Sequence, residues 1–202
     1  MTRTRCVCAV AAAIVLGAAA IADAGQDVIA SGVLSAASIE SSTELTGAAA
    51  VGFGVNRFAT VGVEVTFVPK LQPDGVAAAV PPGATSAATG GRATIFTTNV
   101  RVEIPAIGAR LRPYAIGGGG VANVKEIFAI GLTGPVVSGP QLINPRASLT
   151  ESSTALALAA GGGISVLMAR HLSVDADARY VRLISARDLN VRRFGIGLGY
   201  RF

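Results

Sequence analysis

Residues 193–202 read Arg193-Phe194-Gly195-Ile196-Gly197-Leu198-Gly199-Tyr200-Arg201-Phe202, an unbroken alternation between a large apolar side chain and a glycine or arginine. Successive side chains of a β-strand point to opposite faces, so a period of two with apolar groups on one face predicts a half-buried strand. The apolar phase is Phe194, Ile196, Leu198, Tyr200 and Phe202, and Arg193 and Arg201 share the other face with three glycines.

The opposite end of the chain carries the marks of an export signal. Arg3 and Arg5 form a basic start, Val7 to Ile21 is apolar, and Ala22-Asp23-Ala24 supplies small residues for cleavage, so residues 1–24 are expected to be removed and 25–202 to form the mature protein. The apolar run is shorter than the about 20 residues a spanning helix needs. Both cysteines, Cys6 and Cys8, lie in this signal, which leaves the exported part without a disulfide or a cysteine metal site.

Lys and Arg number 17 against 12 Asp and Glu, a mild excess scattered along the chain rather than gathered on one face, which argues against a nucleic-acid partner. Beyond the signal, the stretch 152–169 is long and uncharged but is interrupted by Gly161-Gly162-Gly163. Glycines inside a helix cost about 1 kcal/mol each relative to alanine. A hydrophobic chain without spanning helices enters a membrane by closing a sheet into a barrel, where every backbone group is paired between strands.

Sorting charges by alternation phase extends the strand reading backward. Leu172–Val181 sets Leu172, Val174, Ala176, Ala178 and Tyr180 against Ser173, Asp175, Asp177 and Arg179. Thr154–Val166 offers Leu156, Leu158, Ala160, Ile164 and Val166, and Tyr114–Val124 offers Tyr114, Ile116, Gly118, Gly120, Ala122 and Val124, each with small residues opposite. Phe96–Ile104 sets Phe96, Val100, Val102 and Ile104 against Thr97, Asn99, Arg101 and Glu103, and Ala59–Phe67 sets four apolar residues against Thr60, Gly62, Glu64 and Thr66. Leu45–Val55 follows the same rule, and residues 27–37, ambiguous in phase, supply the eighth strand. Short turns are expected around Asn56-Arg57, Pro105–Arg112 and Met168–Arg170, and two long loops at Pro69–Gly91 and Lys125–Thr150, rich in Pro, Gly, Ser and Thr. The fold class is therefore all-β, an eight-stranded antiparallel transmembrane up-and-down barrel with short turns at one end and longer loops at the other.

Which phase meets lipid is decided by the glycines. Gly117, Gly119, Gly195, Gly197 and Gly199 are placed on the polar phase, which suits the crowded lumen of a narrow barrel better than a water-facing surface. Lumen placement gathers Glu64, Arg101, Glu103, Asp175, Asp177, Arg179, Arg193 and Arg201 into an interior charge network, read as structural filling in preference to an ion path. On the lipid face an Arg or Lys would cost about 2–4 kcal/mol at mid-membrane. Phe67, Phe96, Tyr114, Tyr180, Phe194, Tyr200 and Phe202 are candidates for interfacial aromatics, a thin girdle with no Trp.

The segments Arg112-Pro-Tyr-Ala-Ile-Gly-Gly-Gly-Gly120, Leu172-Ser-Val-Asp-Ala-Asp-Ala-Arg-Tyr180 and Gly197-Leu-Gly-Tyr-Arg-Phe202 together resemble the small outer-membrane β-barrels of Gram-negative bacteria, the OmpA-, OmpX- and OmpW-like superfamily, over the whole mature chain. The resemblance implies a bacterial outer-membrane location, outer-membrane lipid and the barrel assembly machinery as partners, and Phe202 as part of the assembly signal. It names no surface partner.

Some barrels of this membrane are enzymes, and catalysis needs a nucleophile or activated water beside a base. The only histidine, His171, sits at a turn beside Arg170, where a solvated polar role is the simpler reading. Asp175 and Asp177 share a face with Arg179, which points to a structural cluster rather than paired catalytic carboxylates. Gly195-Ile-Gly-Leu-Gly199 is followed by only three residues, so no helix can present its N-terminus to a phosphate. No cofactor or metal is expected. Three functions remain open: a non-enzymatic outer-membrane protein with a structural or surface-interaction role, a small porin or transporter for ions or apolar solutes, and a soluble exported ligand-binding barrel.

Overall fold

The computed structural model describes residues 28–39, 42–71, 84–104, 110–132, 136–138, 141–143, 146–185 and 188–202. The expected signal at residues 1–24, the middle of the first long loop at 72–83 and most of the turn at 105–109 lie outside these. The strands are β1 (Val28–Ile39), β2 (Ser42–Gly54), β3 (Ala59–Leu71), β4 (Ala84–Glu103), β5 (Leu111–Leu132), β6 (Val136–Ser138), β7 (Gln141–Ile143), β8 (Arg146–Leu167), β9 (Leu172–Ile184) and β10 (Leu189–Arg201). Eight of them close into a barrel in the order β1-β10-β9-β8-β5-β4-β3-β2, and β6 and β7 form a small hairpin between β5 and β8. Every pairing in the barrel is antiparallel.

The closing pair runs from Ile29 opposite Arg201 to Ile39 opposite Val191. Each barrel strand exceeds the about 9–11 residues that cross a bilayer when tilted. The outer surface of the barrel wall is a belt of large apolar groups, with Leu34 at 69%, Ile196 at 68%, Phe194 at 65% and Leu198 at 60% exposure. The other phase of the same strands is buried, Arg193 at 2% exposure included. A barrel built for water would have the reverse arrangement, because exposed apolar surface on this scale carries the full cost of hydration. The apolar phase therefore faces out.

In β5 the expected phase is inverted. Tyr114, Ala122 and Val124 are buried inside, and Val121 is exposed on the wall. Gly118 and Gly120, opposite the inward Asn99 and Thr97, face the lumen, so Gly117 and Gly119 face out. Tyr114 is accordingly no interfacial aromatic. The glycine run carries no side chains to mark a face, and the phase is set instead by the partner strand, where Arg101 and Glu103 stand opposite Ile116 and Tyr114. The inward-facing residues of β1, whose phase was ambiguous, include Val33, Ser35, Ala37 and Ile39.

The long loops are also shorter than expected. Residues 84–91, 125–132 and 146–150 continue β4, β5 and β8, paired from Ala84 opposite Leu132 and from Gly131 opposite Arg146. Pro69–Leu71 likewise belongs to β3, and Leu111 and Arg112 to β5. β3 leaves β4 at Leu71 opposite Gly91, and β9 leaves β8 at Leu156 opposite Ile184. The three long strands thus rise about 20 Å beyond the barrel rim as a three-stranded continuation of the barrel sheet. In β4, backbone pairing with β5 extends the strand through Ala84–Gly91, a polar, small-residue sequence that has little strand propensity of its own.

The inward glycines give a test of the β5 phase. A Cβ at Gly118 would lie 2.8 Å from the Asn99 Cα, whereas at Gly117 the nearest atom is the Ala159 carbonyl oxygen at 3.9 Å. Gly118→Ala should lower unfolding stability in lipid vesicles by about 1–3 kcal/mol, the usual cost of overpacking. Gly117→Ala should be neutral, with urea titration followed by gel mobility as the readout.

Candidate functional site

The inner wall is divided into two layers along the barrel axis. Toward the short-turn end, Glu103 on β4 meets three arginines: Arg101 at 3.3 Å, Arg112 at 3.3 Å and Arg201 at 3.9 Å. Arg101 also reaches Asp175 at 3.1 Å and lies over the Tyr114 ring, 3.7 Å from its centroid. The Tyr114 hydroxyl donates to Asp177 Oδ2 at 3.0 Å, and Arg179 Nε donates to the same oxygen at 2.9 Å. Arg179 extends through Nη1 to Glu64 Oε2. Deeper still, Arg193 donates to Glu64 Oε1 and to Thr66 Oγ1, each at 2.8 Å, and approaches Asp177 at 3.7 Å.

All eight charged residues singled out from the sequence thus stand on the inner wall and are joined by ion pairs. They come together because four strands, β3, β4, β9 and β10, present one alternation phase inward at neighbouring heights. Asp175 stands opposite Gly197 and Ser165, and Asp177 opposite Gly195 and Gly163, so glycines and a serine leave room for the long guanidinium groups. Arg112 and Tyr114 on β5 belong to the same network and were missed. Their signal was the polar hydroxyl and guanidinium two residues apart on one phase, hidden by the wrong phase for β5. A Cβ at Gly163 would lie 2.6 Å from the Tyr114 hydroxyl oxygen, so the ring lies against the bare backbone of its cross-strand partner.

Above Arg193 the lumen changes character. Ser35 and Thr46 share a 2.7 Å hydrogen bond, and beyond them Ala37, Ile39, Val68, Leu71, Ile95, Val124, Val181, Leu183, Leu189 and Val191 form one buried apolar cluster. This layer extends the inward phase of the charged strands: Asp177, Arg179, Val181, Leu183 on β9, and Arg193, Val191, Leu189 on β10. Phe128, further along β5 on the same phase, is fully buried. The cavities within the polar layer are small. One of about 30 Å³ adjoins Arg101, Glu103, Arg112 and Asp175, and one of about 60 Å³ adjoins Glu64, Asn99, Arg101 and Arg179.

The chemistry open to this arrangement is limited. Each of the four carboxylates is paired with at least one guanidinium, so none stands unpartnered as a free base would. His171 lies outside the network, exposed, with Nδ1 2.8 Å from the Arg201 carbonyl oxygen and its ring stacked on Tyr200 at 5.9 Å. Among the described residues no cluster of three or more His, Cys, Asp or Glu could hold a metal ion. Phe202 is placed apart from the charges. Its backbone N–H donates to the Val28 carbonyl at 2.9 Å, and its side chain packs on an outer cluster that includes Val28, Ala30, Val51 and Phe53.

Removing one partner of a buried pair costs about 3–5 kcal/mol, because the other charge is left uncompensated. Glu64→Gln, which strands Arg193 and Arg179 together, should destabilise the barrel by that order in urea titrations. The double variant Glu64→Gln, Arg193→Met should recover a measurable part of the loss, since Arg179 keeps Asp177; purely additive effects would deny the coupling.

Among solved structures, the chain is similar to a major outer membrane protein from Thermus thermophilus, with 14% identity, TM-score 0.51, and coverage of 87% of this chain and 99% of that one. It is also similar to Neisserial surface protein A, at 12% identity, TM-score 0.49, and 88% and 97% coverage. The attachment invasion locus protein of Yersinia pestis is a third, at 16% identity, TM-score 0.45, and 88% and 97% coverage. No curated protein sequence matches the chain. The family model for the outer membrane protein beta-barrel domain matches residues 7–202, and the chain therefore belongs to that family of bacterial outer-membrane β-barrels.

Proposed function

We propose that this protein is a non-enzymatic outer-membrane scaffold whose sealed barrel anchors a projecting sheet for a structural or surface-interaction role. One observation carries the reading: the lumen is filled twice over, by the ion-pair network around Glu64 and Arg193 and by the apolar cluster around Val191 and Leu183. An ion crossing it would have to pass the buried apolar cluster, and an isolated charge among apolar side chains costs several kcal/mol. The β4-β5-β8 extension is the part left to meet other molecules, and with short turns periplasmic it stands outside the cell. The proposed domain division is a signal at 1–24 and the barrel at 25–202. By resemblance, Phe202 serves the assembly machinery, a part its position on the outer wall at the closing seam leaves it free to play.

Purified protein in planar bilayers should show no conductance steps, and discrete channel openings would replace this reading with the small-porin one. Deleting Phe202 should lower the amount of heat-modifiable barrel recovered in the outer membrane several-fold. Unchanged recovery would remove the assembly role.

A further inference from the structure

The outer wall near the long-strand end carries an arrangement that the scaffold reading leaves unused. Arg92 on β4 and Lys125 on β5 are direct cross-strand partners on the outward face, between the inward pairs Gly91 with Glu126 and Ala93 with Val124. A bulge in β3 between Val68 and Leu71 adds an exposed Lys70 beside Arg92. Three cations thus stand in a row across three adjacent strands, at strand spacings of about 5 Å. Like charges directly opposite each other destabilise a sheet. None of the three has an ion-pair partner among the described residues; the nearby Glu126 lies on the inner face, buried. Below the row on the same face come Thr94 and Asn123, then the exposed Phe96 and Val121 of the apolar belt. The row therefore sits at headgroup height, just beyond the hydrocarbon.

We propose that this row binds the phosphate of a lipid headgroup in the leaflet on the long-strand side, which offsets a repulsion the fold otherwise retains. Phosphate accepts several charge-assisted hydrogen bonds at once, and Arg and Lys side chains on neighbouring strands can converge on it. The proposal rests on the apolar belt lying in the membrane and is independent of whether the lumen conducts.

The test uses the full barrel in neutral detergent, with retained ligands counted by native mass spectrometry for bisphosphorylated lipid A, its dephosphorylated form and free pyrophosphate. Retention of the phosphorylated lipid should exceed that of the dephosphorylated form at least tenfold. Arg92→Gln with Lys125→Gln should lower it roughly 25-fold, about fivefold for each cation near an anionic surface. Arg110→Gln with Arg170→Gln, at the other end, should leave it unchanged. In detergent without lipid, Lys125→Gln should raise the urea midpoint, and with phosphorylated lipid present it should lower it. Equal retention by wild type and the row variant, or indifference to lipid phosphorylation, would overturn the proposal. Equally tight retention of free pyrophosphate would overturn its lipid part. Loss of heat-modifiability in wild type would instead strike at the membrane-barrel reading itself.

Discussion

Backbone hydrogen bonding between β1 and β10 is the constraint on which the rest depends. In hydrocarbon an unpaired N–H or C=O group costs several kcal/mol, so a sheet in lipid has to leave no edge. The pairing of Val28–Ile39 with Leu189–Arg201 removes both edges at once. Closure with eight strands then sets the interior width, and that width decides the side chains inside. In the charged layer, glycines, serines and threonines leave room for a few long charged groups.

The charged layer follows from the same geometry. Arginines are the natural choice where the inner wall must be crossed, because a guanidinium is long, flat and able to bond two carboxylates together. Arg179 spans from Asp177 to Glu64, and Arg101 from Glu103 to Asp175. Such pairs contribute less net stability than their contacts suggest, since desolvation offsets much of the attraction. Their clearer contribution is to registry: a strand slipped by one residue would turn Asp175, Asp177 and Arg179 toward lipid. The apolar layer above, with Glu126 at its upper edge, packs the lumen with side chains beyond the charged one.

Much of this was legible in the chain. The alternation of β9 and β10 is unbroken, and charges confined to one phase are a strong signal because the alternative places them in lipid. The phase of β5 was not legible, since Gly117 to Gly120 give neither face a side chain and Tyr114 suits an interface as readily as a polar interior. Only the register with Arg101 and Glu103 resolves it. The strand extensions were hidden for another reason: stretches such as Ala84–Gly91 have loop-like composition and become strand through the backbone groups of their neighbours. The apolar upper lumen was visible as the passage from Arg179 to Val181 and Leu183 on one phase, but such a pattern is easily taken for the end of the alternation. Outside function resides in side chains that no internal constraint explains, which is why the network was readable and a partner was not.

The most direct measurement is site-by-site accessibility along β10 in lipid vesicles, using single-cysteine variants of the mature chain labelled with a small fluorophore. Phe194→Cys, Ile196→Cys and Leu198→Cys should be quenched by brominated lipid, and Val191→Cys, in the apolar layer of the lumen, should be shielded from both lipid and a water-soluble thiol reagent. Rapid modification of Val191→Cys by the aqueous reagent would show an open lumen, and lipid quenching at that position would show that the phase has been read the wrong way round.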